Sequence, residues 1–268
     1  MPRYDVAAIS GGLVSSHSNE NALALVTGTS SGIGAALAPA LLERGWTVIG
    51  LARRAADFGH PAYRHIVLDL ADLDALGKTA GRELEPLLAE GRRSRIALVN
   101  NASLSGQSRG LEYAEPGSLR ELMAVNTVAP IFLMGFVTRV TPPSVPLRIV
   151  NISSGAAVRA FPGLGDYCAS KAGLRMAGLA LAEELVSDQR PGGRREDAAV
   201  LSYEPGVVDT PMQTAARSHS AEEFPWVQPF KEFAAQGMLA PPEAVIGEIV
   251  DFVEGDGAET FVERRFAG

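Results

Sequence analysis

Asn21-Ala-Leu-Ala-Leu-Val-Thr-Gly-Thr-Ser-Ser-Gly-Ile-Gly34 decides how the rest of this chain is read. An apolar strand runs into a glycine-rich turn, and Gly28, Gly32 and Gly34 then open a helix. Glycine at these points permits tight turning and close backbone approach. The first helical N–H groups and the helix dipole attract a pyrophosphate. The spacing departs from the G-x-G-x-x-G dinucleotide fingerprint, although the physics is the same.

Outward from this turn, apolar strand-like runs alternate with helical patterns, the signature of a parallel sheet covered on both faces. Strands are expected at Leu23–Val26, Thr47–Leu51, His65–Leu68, Ile96–Val99, Arg148–Ile152, Ala198–Tyr203 and Thr260–Val262. Right-handed crossovers make a doubly wound α/β arrangement the natural one. Pro39 falls inside the first helix, where it should remove a backbone bond and kink the chain at roughly 3 kcal/mol. At 268 residues the chain can bury one substantial core. Residues 21–268 read as a single domain. Residues 1–20 read as a loose extension, or equally as cover for a neighbouring subunit.

Formal charge is -7 with no basic run, which argues against a nucleic-acid surface. The single cysteine, Cys168, excludes an internal disulfide and any multi-cysteine metal site, and fits a cytoplasmic home. His17, His60, His65 and His219 show no metal-ligand spacing, so no metal is expected. No apolar run is read as approaching the roughly 20 residues that span a bilayer, and the first 20 residues do not make a signal peptide.

Chemistry enters at Asp166-Tyr-Cys-Ala-Ser-Lys-Ala-Gly173, a helix start that puts Tyr167 and Lys171 on one face. A free phenol has a pKa of about 10. An ammonium roughly 4 Å away, at an effective dielectric near 20, favours the phenolate by up to about 4 kcal/mol. Such a tyrosine can exchange a proton with a carbonyl oxygen near neutrality.

With these pieces in place the chain resembles the short-chain dehydrogenase/reductase family from Ala22 to Val262. The matching segments arrive in family order: Thr27-Gly-Thr-Ser-Ser-Gly-Ile-Gly34, Asp69-Leu70, Asn100-Asn-Ala102, Asn126, Asn151-Ile-Ser-Ser154, Tyr167-x-x-x-Lys171 and Pro205-Gly-Val-Val-Asp-Thr210. The resemblance implies a Rossmann-type sheet of seven strands in the order 3-2-1-4-5-6-7. It implies a catalytic tetrad of Asn126, Ser154, Tyr167 and Lys171. Ser154 lies 13 residues before the tyrosine (167 − 154), the family's interval, and is chosen over Ser153. Its hydroxyl would hold the substrate oxygen, Tyr167 would donate or accept the proton, and Lys171 would lower the phenol's pKa and bond the nicotinamide ribose. Asn126 would support a water connecting Lys171 to solvent. The dinucleotide would lie on Gly28, Ser30, Ser31, Gly32, Ile33 and Gly34, with Asp69 and Leu70 at the adenine and Asn101 and Ala102 at the ribose. Pro205, Gly206, Val208 and Thr210 would meet the carboxamide end.

Cofactor choice rests on the second strand's tip, about 20 residues beyond Gly34, where an NAD-binding protein would carry an acid. Arg53 and Arg54 stand there instead. Guanidinium groups suit a 2′-phosphate, so NADP(H) is expected. Residues 211–242, rich in proline and aromatics, occupy the position of the family's substrate lid. Phe161, Leu164, Met212 and Trp226 could make an apolar pocket, with Trp226 either lining it or anchoring the lid. Glu204 would take a polar substrate group or pair with an arginine.

Within the family, Tyr203-Glu-Pro-Gly-Val-Val-Asp-Thr-Pro-Met-Gln213 is most similar to the sepiapterin and benzil reductase branch. Glu263 falls only approximately where sepiapterin reductases hold the pterin. The expectation is an NADPH-dependent carbonyl reductase for a small ketone or diketone. A 3-oxoacyl thioester reductase and a non-catalytic NADP(H)-sensing module are the alternatives. Ala172, Gly173, Ala177, Gly178 and Ala180 would let the Tyr167 helix pair across a two-fold axis as a homodimer or homotetramer, or else pack it on its own sheet. No membrane or nucleic-acid partner is expected.

Overall fold

The computed structural model describes residues 19–90, 92–257 and 259–267; the expected extension over residues 1–20 lies almost wholly outside the described residues. Among the described residues seven strands run parallel. They are β1 Leu23–Thr27, β2 Thr47–Ala52, β3 Tyr63–Val67, β4 Ile96–Asn100, β5 Leu147–Ile152, β6 Ala198–Glu204 and β7 Phe261–Arg265. Their order is β3-β2-β1-β4-β5-β6-β7, as the resemblance implies. The helices in chain order are α1 Gly32–Glu43, α2 Leu73–Thr79, α3 Glu85–Leu88, α4 Pro116–Met123, α5 Ala129–Val140, α6 Gly165–Val186, α7 Pro211–Ser218, α8 Gln228–Ala235, α9 Pro242–Val245 and α10 Gly247–Glu254.

Every residue of β1 is buried because both faces of the sheet are covered. Leu23 and Leu25 enter a core shared with α2, α3, α5 and α6. Ala24 and Val26 enter the opposite core, formed with α1, α9 and α10. The sequence placed the two edge strands least well. β3 starts at Tyr63 and β7 runs on to Arg265. Arg64, Glu263, Arg264 and Arg265 are exposed there, so these edges carry charge rather than an apolar signal, which also discourages pairing with another chain.

Two helices bear on further expectations. α1 continues through Pro39 without a break. The helical run Pro116–Val140 is 25 residues long and holds an 18-residue window with a mean hydropathy of 1.5, enough by length and composition to cross a membrane. Its apolar window is 67% buried inside the protein, with Leu133 and Val137 in the core beneath the sheet. Packing therefore accounts for its apolarity. Within this run a π-helical turn at Ala124–Val128 joins α4 to α5.

Buried arginines fasten the amino ends of the strands. Arg148, the second residue of β5, has no solvent exposure and donates to the Gly255 carbonyl from Nε at 3.1 Å and Nη2 at 2.8 Å. Its Nη2 also pairs with Asp197 at 2.6 Å. Arg95 donates to the Val253 carbonyl at 3.0 Å and pairs with Asp256. Burial lowers the Arg148 pKa, and the Asp197 carboxylate opposes that shift. Arg148→Ala should cost about 2–3 kcal/mol, because hydrogen bonds to a charged donor vanish and buried acceptors lose their partner. Chemical denaturation checks this; a loss below about 0.5 kcal/mol, the level of an ordinary surface change, would show that the clamp adds nothing.

Candidate active site

The crevice opens at the carboxyl ends of the strands, where β1 and β4 adjoin and the strand order reverses, the usual ligand position in such sheets. Gly28, at φ +75°, swings the chain off β1. A Cβ on Gly34 would collide with the Gly28 carbonyl oxygen and lie 2.6 Å from Asn101 Nδ2, so the turn folds this tightly only with glycine. Thr27 Oγ1 accepts from the backbone N–H of both Asn101 and Ala102 at 2.9 Å. Asn101 Nδ2 donates to Thr27 O at 2.8 Å and to Gly28 O at 3.3 Å. The Asn101 side chain therefore ties the turn to the β4 loop. Ser30 and Ser31 remain partly exposed, whereas Ile33 drops into the core. Ser31 heads α1 without capping it through its side chain, which leaves the first N–H groups of the helix open to an anion.

Arg54 Nη2 reaches Ser31 Oγ at 3.2 Å. Arg53 lies 3.8 Å from Asp69, both groups about half exposed. Asp69 also accepts from Ala71 N at 2.9 Å, while Asp72 caps α2. Leu70 is buried in the core. Beneath the turn, Tyr63 Oη contacts Thr29 Oγ1 at 3.1 Å and His65 Nδ1 at 2.9 Å.

Gly206, at φ +73°, turns the chain after β6. Val208 is buried and bridges to Ala240. Thr210 caps α7 through its hydroxyl, and its Cγ2 would lie 3.0 Å from a Cβ on Gly32. The Pro205–Thr210 segment and the glycine turn thus face each other.

Tyr167 as a residue keeps partial solvent exposure at the start of α6. Burial is the largest influence and raises its pKa to about 12, against the opposing effect of the nearby Ser154 and Ser103 hydroxyls. This reverses the expected depression by Lys171. The ammonium lies 5.7 Å from the ring centroid and donates to Ile152 O at 2.8 Å rather than meeting the phenol oxygen. Lys171 is itself buried, which holds its pKa down to about 8.

Asn126 is wholly buried in the π-helical turn. It accepts from Leu104 N at 2.8 Å and donates to Leu104 O at 2.9 Å and Ser170 Oγ at 3.0 Å. Ser170 Oγ in turn donates to Tyr167 O at 2.8 Å. Asp166 accepts from Gln107 N at 3.0 Å and Tyr167 N at 2.7 Å. Sequence reasoning missed Thr27, Ser103, Asp166 and Ser170. Ser170 had a signal, since it sits at helical spacing from Tyr167; the others act through loop contacts that no periodicity reports.

Chain 209–239 makes an excursion through α7 and α8 and returns at the Val208–Ala240 bridge. Phe224 is fully buried there, and its ring and that of Trp226 lie against Gly163 at the approach to α6. Trp226 keeps 40% exposure, so it is anchored yet presents an open surface. Phe161 is exposed beneath Arg159, whose guanidinium is 5.5 Å from its ring centroid. Leu164 precedes α6 and Met212 lies in α7, both half-buried. A cavity of about 220 Å³ lies beside Ser154, lined by Ser202, Glu204, Glu263 and Arg265 among others. Of the two roles open to Glu204 the arginine pairing is present, with Arg265 Nε at 3.4 Å. Glu263 is held by Arg175 through two bonds of 2.6 and 2.7 Å.

The family model for short chain dehydrogenases matches residues 22–221. The chain belongs to the short-chain dehydrogenase/reductase family and is an oxidoreductase of that kind. It is 32% identical over 236 residues to a benzil reductase ((S)-benzoin forming) of Bacillus subtilis, spanning 87% of this chain and 93% of the other. It is 30% identical over 220 residues to a sepiapterin reductase of Xenopus laevis, spanning 75% and 78%. Among solved structures, a Beutenbergia cavernae protein with bound NADP at low occupancy superposes with a TM-score of 0.71 at 28% identity, over 88% of this chain and 90% of that one.

Burial of Lys171 has a thermodynamic signature. Its folded pKa of about 8 lies below the ordinary 10.5, so between these values the unfolded chain binds more protons and stability rises with pH. The raised phenol of Tyr167 opposes this only above pH 10, its ordinary pKa. Lys171→Met should therefore lose a rise in stability between pH 8 and pH 10 that the unmodified protein shows. Parallel denaturation curves across that window, with equal slopes for the two proteins, would contradict the shift.

Proposed function

We propose that the protein is an NADPH-dependent carbonyl reductase acting on a ketone or diketone of small to medium size. The observation that carries this reading is the phenol of Tyr167 at the crevice mouth, flanked by serine hydroxyls, with buried Lys171 behind it on the same helix. Similarity to benzil and sepiapterin reductases supports a ketone or diketone as substrate.

The residues fit a dinucleotide. The close approach of Gly34 to Gly28 leaves a cradle that a Cβ would fill, and the uncapped start of α1 offers free donors to a pyrophosphate. Arg53 and Arg54 would take a 2′-phosphate; Arg53 would exchange its loose contact with Asp69 for a charge-assisted bond. The relative solved with NADP supports that choice. Bound NADPH would supply a hydride to the carbonyl carbon and leave as NADP⁺.

Ser154 would hold the substrate oxygen through its hydroxyl hydrogen, since the hydroxyl oxygen already accepts from Ala156 N at 3.2 Å. A phenol with a pKa of about 12 keeps its proton at neutral pH, which suits Tyr167 to donating that proton as the oxygen gains charge. Lys171, near pKa 8, exchanges protons close to neutrality and would serve as the proton reservoir behind the phenol, as well as holding the nicotinamide ribose. Asn126 acts here by holding Leu104 and Ser170 in place, and its main chain would support the water that links Lys171 to solvent. The 209–239 excursion would serve as the substrate lid. Exposed Val128 in the π-helical turn and Ile131 and Phe132 on α5, with exposed Met176 on α6, would pair with a second copy, in keeping with a cytoplasmic homo-oligomer. Gly173 and Gly178 instead face inward, toward Thr127 and Asn151.

The test follows NADPH absorbance with benzil, sepiapterin, a simple diketone and a 3-oxoacyl thioester, each repeated with NADH. NADPH should be favoured at least about tenfold, and Arg53→Ala should erase most of that preference. Tyr167→Phe should lower kcat roughly 10²- to 10⁴-fold. Retention of most activity by Tyr167→Phe overturns the mechanism. Thioester turnover far above that of the diketones redirects the substrate assignment.

A further inference from the structure

Two serines approach the Tyr167 phenol, and only Ser154 has a role in the reading above. They arrive from neighbouring strands in matched positions. β4 and β5 pair in parallel with Asn100 opposite Asn151, and the two side chains are bonded at 2.9 Å from Asn100 Nδ2 to Asn151 Oδ1. Ser103 and Ser154 each lie three residues beyond that pair (103 − 100 and 154 − 151). Adjacent strands are roughly 4.8 Å apart, so two hydroxyls leaving equivalent points can address two oxygens on adjacent carbons.

Ser103 is also held rigidly. Its neighbour Leu104 is gripped at both N–H and C=O by Asn126. Four residues after Ser103, Gln107 N is held by Asp166, next to Tyr167 in sequence. Apart from its approach to the phenol, the Ser103 hydroxyl makes one long 3.4 Å bond, to the Leu104 carbonyl, which a substrate oxygen can displace. Like its neighbours it is partly exposed to the crevice.

We propose that Ser103 is a specificity-determining residue that binds the second oxygen of a vicinal dicarbonyl while Ser154 and Tyr167 hold the oxygen being reduced. This rests on the carbonyl reductase reading. Two-point attachment fixes which face of the reacting carbon is presented, so Ser103 governs the handedness of the hydroxyketone as well as the preference for diketones. A monoketone of the same shape has no atom for Ser103 to bind.

The experiment compares the unmodified protein, Ser103→Ala and Ser103→Thr with benzil and with its monoketone analogue deoxybenzoin, at saturating NADPH. Ser103→Ala should lose roughly three- to tenfold in kcat/KM on benzil, the range of one hydrogen bond. Its loss on deoxybenzoin, which lacks the partner group, should be at least about threefold smaller, since any effect through the phenol is common to both ketones. Ser103→Thr keeps the hydroxyl and should retain the ratio between the two ketones, and the benzoin formed by Ser103→Ala should lose enantiomeric excess. Equal losses on both ketones, or an unchanged ratio and enantiomeric excess in all three proteins, overturn the role of Ser103 and leave the reductase reading standing. Failure of the unmodified protein to reduce either ketone overturns that reading and this inference with it.

Discussion

The side-chain amide of Asn126 has no contact with solvent, so each of its polar atoms must find a partner inside the protein. It finds them in the backbone of Leu104 and the hydroxyl of Ser170. Three elements that share no sequence proximity are thereby fixed together: the loop after β4, the π-helical turn and the first turns of α6. Relaxing any one of these bonds would leave a buried donor or acceptor unmet, at about 1–3 kcal/mol. The π-helical turn fits this account, since an extra residue in a helix re-aims the side chains around it, and such turns frequently occur at functional sites.

Around this frame the protein tolerates groups that burial penalises. Lys171 gives up much of its hydration and recovers one carbonyl bond, from Ile152. Tyr167 keeps its proton more tightly than a free phenol. Both shifts arise from desolvation ahead of any pairwise charge effect, in line with the general observation that perturbed groups gather where chemistry is done. The Ser154 and Ser103 hydroxyls pull the phenol the other way. The opposite end of the sheet solves its own burial problem by different means. Arg148 and Arg95 meet backbone carbonyls and aspartates at the strands' amino ends, which makes that end a fastening rather than a site.

How much of this was legible beforehand follows from which forces leave a periodic trace. Strands buried on both faces read as unbroken apolar runs, so β1, β2, β4, β5 and β6 were found within a residue or two. β3 and β7 were displaced because one side of each is open and its charges imitate a loop. The length of Pro116–Val140 was missed as an apolar helix because a π-helical turn and two prolines, Pro116 and Pro130, interrupt the pattern. In the candidate site the order of motifs led to Asn126, Ser154, Tyr167 and Lys171. It did not lead to the sign of the Tyr167 shift, which depends on how much protein surrounds the phenol and where the ammonium points. Nor did it lead to Asp166, which holds the distant backbone of Gln107, or to Ser103, which meets the phenol only through the fold.

The excursion between Val208 and Ala240 leaves the sheet and returns to almost the same point, with Asp209 N bonded to Ala240 O at 2.8 Å and Ala240 N to Val207 O at 2.9 Å. A loop closed at its base hardly communicates its own length to the body it springs from. Doubling its residues would change the closure entropy by only about 0.6 kcal/mol. Insertions, deletions and wholesale exchange of this segment are therefore nearly invisible to the sheet, provided the paired base and the seat of Phe224 against Gly163 are preserved. This one excursion can therefore vary at little risk to folding while the framework stays still.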